Sequence, residues 1–389
     1  MNSTFSDFAD MMAHPVRAAP AAPDSFGRYA VLGGGADARL LAATALSEVA
    51  EVTLFSAYGA ELSAMASGIA LRGAGPLGSY QVNADAAPSV RATAELDAAV
   101  QGAEVIFLTG PVHKQRTYAM VLADHLTDGQ VLVLAPGRTF GALETRYLLS
   151  IGGCAADVTI AEAGTLPFWY APEGATLNLS AAVGAPGGVL PGNRRDVCAG
   201  LNQVLPNAEF ATSTLASSFA DGSGLAEVPA LLLGGPAMPD GGPAIQMGGT
   251  PLPENQTFRN LIGSGHMTVI EDLAGERRET ARRFGIRDLP DTGAWLDMFA
   301  GTAAGDGSRP LPDATAVHGV VRDAVIGSLA PLASAARIAG VATPATDAMT
   351  ALASSVLKAD LSTAGRKLTA MGISGGDVDA ARRALEEAA

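Results

Sequence analysis

One six-residue turn constrains this chain more than any other feature. Tyr29-Ala30-Val31-Leu32 has the unbroken apolar character of a buried strand and runs into Gly33-Gly34-Gly35-Ala36-Asp37-Ala38. Leu40, Leu41, Thr44 and Val49 then recur at helical spacing, and Glu51 to Phe55 reads as the next strand. Strand, glycine turn, helix and strand make a βαβ unit. Gly33, Gly35 and Ala38 fill the small-residue positions of a dinucleotide turn. The first glycine permits the tight turn, the second lets backbone approach a pyrophosphate, and the third small residue lets helix pack on strand. A glycine-rich chain produces such patterns by chance, but the place between strand and helix gives this one meaning. Gly33, Gly35, Ala36 and Ala38 are the expected cofactor contacts; an ordinary glycine-rich turn is the competing reading.

The alternation continues downstream. Helices are expected over Thr93–Val100, Gln115–Leu126 and Phe140–Leu149, and strands over Val105–Thr109, Val131–Leu134 and Val158–Ile160. Continuous apolar strands between amphipathic helices indicate a parallel sheet covered on both faces. Past the turn Pro191-Gly192-Asn193 the periodicity becomes helical, at Met267–Phe284, from Leu329 onward, and over about 345–358 and 377–388. Leu329, Leu332, Ala333 and Ala336 share one face and read as core. The expected class is α/β plus all-α: a tail over 1–26, a Rossmann-like parallel-sheet domain over 27–190, and a helical domain over 191–389. A Gly/Pro-rich loop occupies 234–253.

Composition narrows the partners. The net charge of −14 repels phosphate backbones, which excludes generic nucleic-acid binding. No apolar run reaches the roughly 20 residues of a membrane span, and Met1 to Pro23 has no apolar signal region. Cys154 and Cys198 make no disulfide scaffold, so a cytoplasmic location is expected. Five histidines and two cysteines lie too far apart for a metal-ligand pair, and no metal is expected. Gly372-Ile373-Ser374-Gly375-Gly376 fits G-x-S-x-G, but no strand precedes it and no histidine follows it.

The end of the second strand normally carries an acid for the ribose of NAD. Here Phe55 is followed by Ser56-Ala57-Tyr58. Without an acid nothing repels a 2′-phosphate, and Ser56 can donate to one, which favours NADP over NAD. Arg72 is a more distant candidate for that phosphate, with a solvated surface arginine as the competing reading. Thr109-Gly110-Pro111 ends a strand at the cofactor crevice and is expected to line the ribose or nicotinamide; a plain strand-to-helix turn competes.

Further along, Val131 to Glu144 contains Pro136-Gly137-Arg138-Thr139-Phe140-Gly141-Ala142-Leu143-Glu144. This resembles the Pro-Gly-Arg-Thr-x-Gly-Ala-Leu-Glu block of the opine (octopine/nopaline) dehydrogenase family. Ala161 to Phe168 is similar to that family's Glu-Thr-x-Thr-Leu-Pro-Tyr segment. Ile270–Gly285 and Leu329–Pro344 resemble two of its helical regions, so the likeness runs in order from about 27 to 373. The resemblance implies an NAD(P)H-dependent oxidoreductase with a Rossmann domain and a helical second domain. An amine or amino acid condenses with a 2-oxo acid, and the resulting imine is reduced in the cleft between them. The implied partners are those small molecules, with a homodimer as the expected assembly.

The sequence departs from that family at the catalytic position. The family's acid/base histidine matches Glu227 in Leu225-Ala226-Glu227-Val228-Pro229. Its partner acid falls in Val321 to Gly327, where Asp323 is the only carboxylate. Glu227 beside Asp323 would supply a like charge, so that one carboxyl keeps its proton and acts as a general acid. The competing reading makes Glu227 a solvated loop residue in an eroded dyad. His318, five residues before Asp323, and His266 are candidates to replace the histidine; His113 reads as structural. Arg138 is expected on cofactor phosphate or a substrate carboxylate, against a fold-holding role. Arg322 is a second carboxylate-holding candidate, against an ion pair with Asp323. Two further functions compete: a fold-sharing enzyme with altered chemistry (ketone reduction or non-opine imine reduction), and a nucleotide-binding protein that has lost catalysis.

Overall fold

The computed structural model describes residues 25–48, 51–66, 69–74, 77–78, 90–233, 257–303, 305–312, 315–373 and 378–387. Nearly all of the expected tail, the whole loop at 234–253 and Ser374 of the G-x-S-x-G match lie outside these residues.

In chain order the first elements are β1 (Arg28–Leu32), α1 (Ala36–Glu48), β2 (Glu51–Phe55), α2 (Gly59–Ala66), β3 (Ala70–Arg72), β4 (Arg91–Thr93), α3 (Leu96–Val100), β5 (Val105–Leu108), α4 (Val112–Leu122), β6 (Val131–Leu134), α5 (Gly141–Ile151) and β7 (Thr159–Glu162). Next come β8 (Phe168–Glu173), β9 (Thr176–Ala182), β10 (Pro186–Leu190), α6 (Cys198–Leu201) and β11 (Glu209–Thr212). The rest are helices: α7 (Thr214–Ala220), α8 (Ser223–Leu233), α9 (Ser264–Arg283), α10 (Thr292–Ala300), α11 (Val317–Ala324), α12 (Ala330–Ala339), α13 (Pro344–Leu357), α14 (Leu361–Ala364) and α15 (Val378–Glu387).

The large sheet has the order β11-β10-β7-β6-β5-β1-β2-β4. Its strands pair in parallel except β10, which runs antiparallel to β7. Every residue of β5, β6 and β7 is buried, as expected of strands covered on both faces. The strand order reverses between β1 and β5, and such switch points open a crevice at the carboxyl ends of the strands. Gly33 follows β1 there and Thr109 follows β5.

Several expectations shift. Thr93 belongs to β4, not to a helix: it pairs in register with Phe55, and α3 begins only at Leu96. Helix α4 starts at Val112, directly after Pro111. A second, three-stranded sheet, β3-β9-β8, was not read from the sequence. Its signal is the alternation of buried Leu177, Leu179 and Ala181 along β9. The large sheet also takes its last strand, β11, from beyond residue 191.

Three cores form. One covers the face of the sheet against α1 and β8. A second, on the opposite face, joins Ile106, Leu132 and Phe140 to Leu332, Leu368, Ala381 and Leu385 of the C-terminal elements. A third lies among the helices, around Leu231, Ile270, Trp295 and Val325. The expected stripe Leu329, Leu332, Ala333 and Ala336 is buried.

From Val317 to Ala339 the chain is continuously helical and, by length and composition, apolar enough to cross a membrane; most of it is buried inside the protein as a core helix. Its middle, Val325–Leu329, winds as a π-helix. That widening turns carbonyls outward: Ile326 O accepts from Arg366 N at 3.1 Å, Gly327 O from Thr139 N at 2.9 Å, and Ser328 O from Arg277 at 3.2 Å. The π segment thereby ties the helical region to the Pro136–Glu144 block.

Candidate active site

At the switch point lies a cavity of about 420 Å³, lined by Gly33 to Ala38, Thr109 to Pro111, Pro136, Arg138, Gly164 to Leu166, Phe168 to Tyr170, Ser223, Glu227 and Arg309 to Pro312.

The glycine turn builds one end. Gly33 has φ +135°, and a Cβ there would stand 2.4 Å from Thr109 Oγ1. Thr109 is fixed by its own bonds, its N and Oγ1 both donating to Leu32 O at 3.2 and 2.9 Å. A Cβ on Gly35 would meet nothing within 4 Å, so backbone is bared to the cavity. Ala38 is fully buried beneath, where α1 meets the sheet. An open backbone at a helix start is the cradle a pyrophosphate requires, and these residues fit a dinucleotide. Ala36, Gly110 and Pro111 line the same end.

Two acids at this end were not foreseen. Asp37, in the first turn of α1, accepts a hydrogen bond from Tyr170 Oη at 2.6 Å. Burial pushes its carboxyl up, against the Tyr170 hydrogen bond, which lowers it. The second is Glu61 of α2, which folds back so that Ser56 Oγ donates to its carboxylate. Glu61 also pairs with Lys114 Nζ at 3.9 Å and packs against Gly34. The strand end itself carries no acid, as the sequence has it; one reaches it from the next helix. Arg72 is exposed on β3 and is not among the residues lining the cavity.

Charged side chains build the other end. Glu227 is buried, at 4% exposure, which removes the solvated-loop reading. Arg138 Nη1 stands 3.2 Å from Glu227 Oε2, and Arg309 Nη2 is 2.8 Å from Oε1. Arg138 Nε lies 2.7 Å from Asp323 Oδ2. Asp323 Oδ1 accepts from Val112 N at 2.6 Å. A guanidinium thus stands between the two carboxylates, and the expected like-charge contact does not form. Burial works against the charge on Arg138, but Glu227, Asp323 and Asp221 outweigh it and hold the guanidinium well above its ordinary value. Arg309, absent from the sequence reading, is clamped between the Trp169 and Phe258 rings, at 4.5 and 4.4 Å from their centroids. Its guanidinium also donates to Phe299 O.

The Pro136–Glu144 block explains itself by packing. Arg366, 1% exposed, donates to Glu144 at 2.7 Å, Gly137 O at 2.8 Å and Thr139 O at 3.0 Å. Thr139 Oγ1 donates to Asp221 Oδ2 at 2.8 Å, and Ala142 N to Glu162 Oε2 at 2.8 Å. Arg138 itself takes a left-handed backbone at φ 57°. The block is a seam between sheet and helices, and Pro136 and Arg138 are its residues lining the cavity.

The remaining candidates fall outside. Arg322 is exposed, and Asp323 pairs with Arg138 instead. His266 Nδ1 accepts from Gly263 N at 3.1 Å near the start of α9. His113 is exposed at the start of α4, and its ring is pushed down first by burial. His318 is half-buried; its neighbours Ala316 and Val320 line the cavity and it does not.

No family model matches the chain. An opine dehydrogenase of Arthrobacter sp. (strain 1C) is 26% identical over 308 residues, covering 76% of this chain and 82% of that protein. Octopine dehydrogenase solved with NADH and L-arginine shares the fold at TM-score 0.66 and 19% identity, over 91% of this chain and 97% of that one. Yersinopine dehydrogenase bound to NADP+ superposes at TM-score 0.57 and 14% identity, over 94% and 99%. The chain is thus similar in sequence to an opine dehydrogenase over three quarters of its length, and it shares the fold of octopine dehydrogenase over nine tenths.

Proposed function

We propose that this protein is a nicotinamide-dependent oxidoreductase that reduces the imine formed between an amine or amino acid and a 2-oxo acid. The observation that carries the reading is that one cavity joins a dinucleotide turn to a buried carboxylate and guanidinium wall. The kinship with an opine dehydrogenase supports it. When bound, the reduced nicotinamide supplies the hydride. The glycine turn and the start of α1 hold its phosphates. Glu61 stands beside Ser56 where a 2′-phosphate would lie, so NADH is the better fit, contrary to what the strand end alone suggests.

At the far end the condensed substrate carries a cationic nitrogen, and Glu227 is the carboxylate that faces it. Arg309 and Arg138 fix that carboxylate, and Asp323 acts one step behind, by orienting Arg138. Glu227 thereby works as a fixed counter-charge where the family places a histidine, and its role is to hold the cationic nitrogen before hydride arrives, since hydride addition consumes that charge.

The test titrates NADH and NADPH by fluorescence, then follows nicotinamide absorbance with amines and 2-oxo acids in combination. NADH turnover that needs both partners is expected. Turnover of an oxo acid without amine would instead establish ketone reduction. Cofactor binding without turnover across the panel would leave a nucleotide-binding protein.

A further inference from the structure

The charged wall has an apolar border. Helix α11 brings Asp323 to Arg138, and Val320 stands one turn before it on the same helix, with Ala316 a further turn back at the cap. Residues three and four apart share a helix face, and Ala316 and Val320 both line the cavity. Leu311, two residues after Arg309, lines it as well. Leu311 and Val320 are half-buried. They pack against the core among the helices, and what that core leaves uncovered borders the cavity. The Trp169 ring, stacked on the guanidinium of Arg309, continues the border beside Glu227.

The border carries no charge, and the charges next to it are taken. Among the described residues, the charged side chains lining the cavity are Asp37, Lys114, Arg138, Glu227 and Arg309. Asp37 accepts from Tyr170, and Lys114 pairs with Glu61. The other three pair among themselves and with Asp323. A guanidinium or ammonium group entering beside Val320 would give up water and find no free carboxylate among them, which is costly. An alkyl or phenyl group entering there gains about four-fold in affinity for each methylene it buries.

We infer that the amine partner is an amino acid with a neutral, apolar side chain, which lodges against Val320, Leu311 and Trp169 while Glu227 faces its nitrogen, and that Val320 selects it. This rests on the imine-reducing reading above and names the class of its amine substrate. The placement follows from connectivity. The side chain of an α-amino acid begins one carbon from the nitrogen, so it leaves Glu227 along the nearest surfaces. Arg309 and Arg138 hold the two oxygens of Glu227. Next to Arg309 lie Trp169 and Leu311, and next to Arg138 lies the α11 face that carries Val320 and Asp323.

The test compares L-leucine with L-arginine as the amine, at saturating NADH and pyruvate, in wild type, Val320→Asp and Val320→Ala. Wild type should favour leucine about 100-fold or more in kcat/KM, because arginine must bury an unpaired charge. Val320→Asp places a carboxylate on the border and should move the ratio towards arginine at least about ten-fold. Val320→Ala should raise the KM for leucine about three- to ten-fold. The KM for pyruvate, and NADH affinity read by fluorescence, should stay within about two-fold of wild type in Val320→Ala. Wild type that prefers arginine or lysine overturns the inference and leaves the imine-reducing reading standing. An unchanged ratio in Val320→Asp that still binds NADH overturns it too. If Val320→Asp fails to fold, the leucine KM of Val320→Ala decides, and an unchanged value overturns the inference. Protein that binds NADH but turns over no pairing of amine and 2-oxo acid removes the imine-reducing reading, and the inference with it.

Discussion

The two ends of the cavity are built from different materials. The cofactor end is backbone: six consecutive residues supply a positive φ, an open glycine and a helix start. The substrate end is side chains brought from far apart, Arg138 reaching Glu227 across 89 positions and Arg309 reaching it across 82. Backbone geometry is set locally and tolerates change around it. A buried chain of charges works only when every member is present, because each ion removed leaves its partner desolvated and unpaired. The difference teaches where the protein is robust and where it is cooperative.

The sharpest way to break that contrast is Arg138→Met. It strips the guanidinium from both Glu227 and Asp323, and about 3–5 kcal/mol of stability should be lost in denaturant titration. A loss below about 1 kcal/mol would mean the charged wall is not cooperative.

The seam behind the wall should respond to pH through Glu162. Burial pushes the Glu162 carboxyl up to about 7, against hydrogen bonds from Ser217 and Ala142 that lower it. The folded protein then holds a proton that the unfolded chain releases nearer 4.5. Its contribution is complete below that lower value and is lost as pH rises through about 7. The expected fall is on the order of 3 kcal/mol, read as the difference between wild type and Glu162→Gln unfolded at pH 5 and pH 8. A parallel pH dependence in both proteins would exclude Glu162 as the cause.

Gly35→Ala tests the other end. A Cβ there touches nothing, so the melting temperature should not move. NADH affinity should fall at least about ten-fold, near 1.4 kcal/mol, because the methyl occupies the phosphate approach. Destabilisation in place of lost affinity would show the turn to be mere packing.

The smallest effect concerns Glu61, one of the two side-chain acids at the cofactor end. Glu61→Gln should narrow the preference for NADH over NADPH by up to about ten-fold, with total binding little changed. An unchanged ratio would detach Glu61 from the ribose.

The legibility of these parts follows the same division. Gly33, Gly35 and Ala38 could be read because what they do is done by neighbours in sequence. Most strands of the large sheet were legible as unbroken apolar runs. Thr93 was misread because β-branched pairing with Phe55 outweighed a helical pattern that begins only later. Glu61 was missed because the search stopped at the strand end; the first turn of the following helix was the place to look. Arg309 had no local signal, since its role comes from rings at Trp169 and Phe258 on separate segments. Glu227 and Asp323 were singled out by family likeness, but their relation was inverted: an arginine joins what was expected to repel.

By itself, then, the sequence determined the glycine turn between strand and helix, the parallel sheet and the buried faces of the helices, because backbone conformation and amphipathic period are short-range properties. Only the tertiary structure decided that Glu227 is buried between two guanidiniums and that Glu61 reaches Ser56. Periodicity records that a face is buried and never which other face it meets, and the electrostatics of a site depend on that meeting.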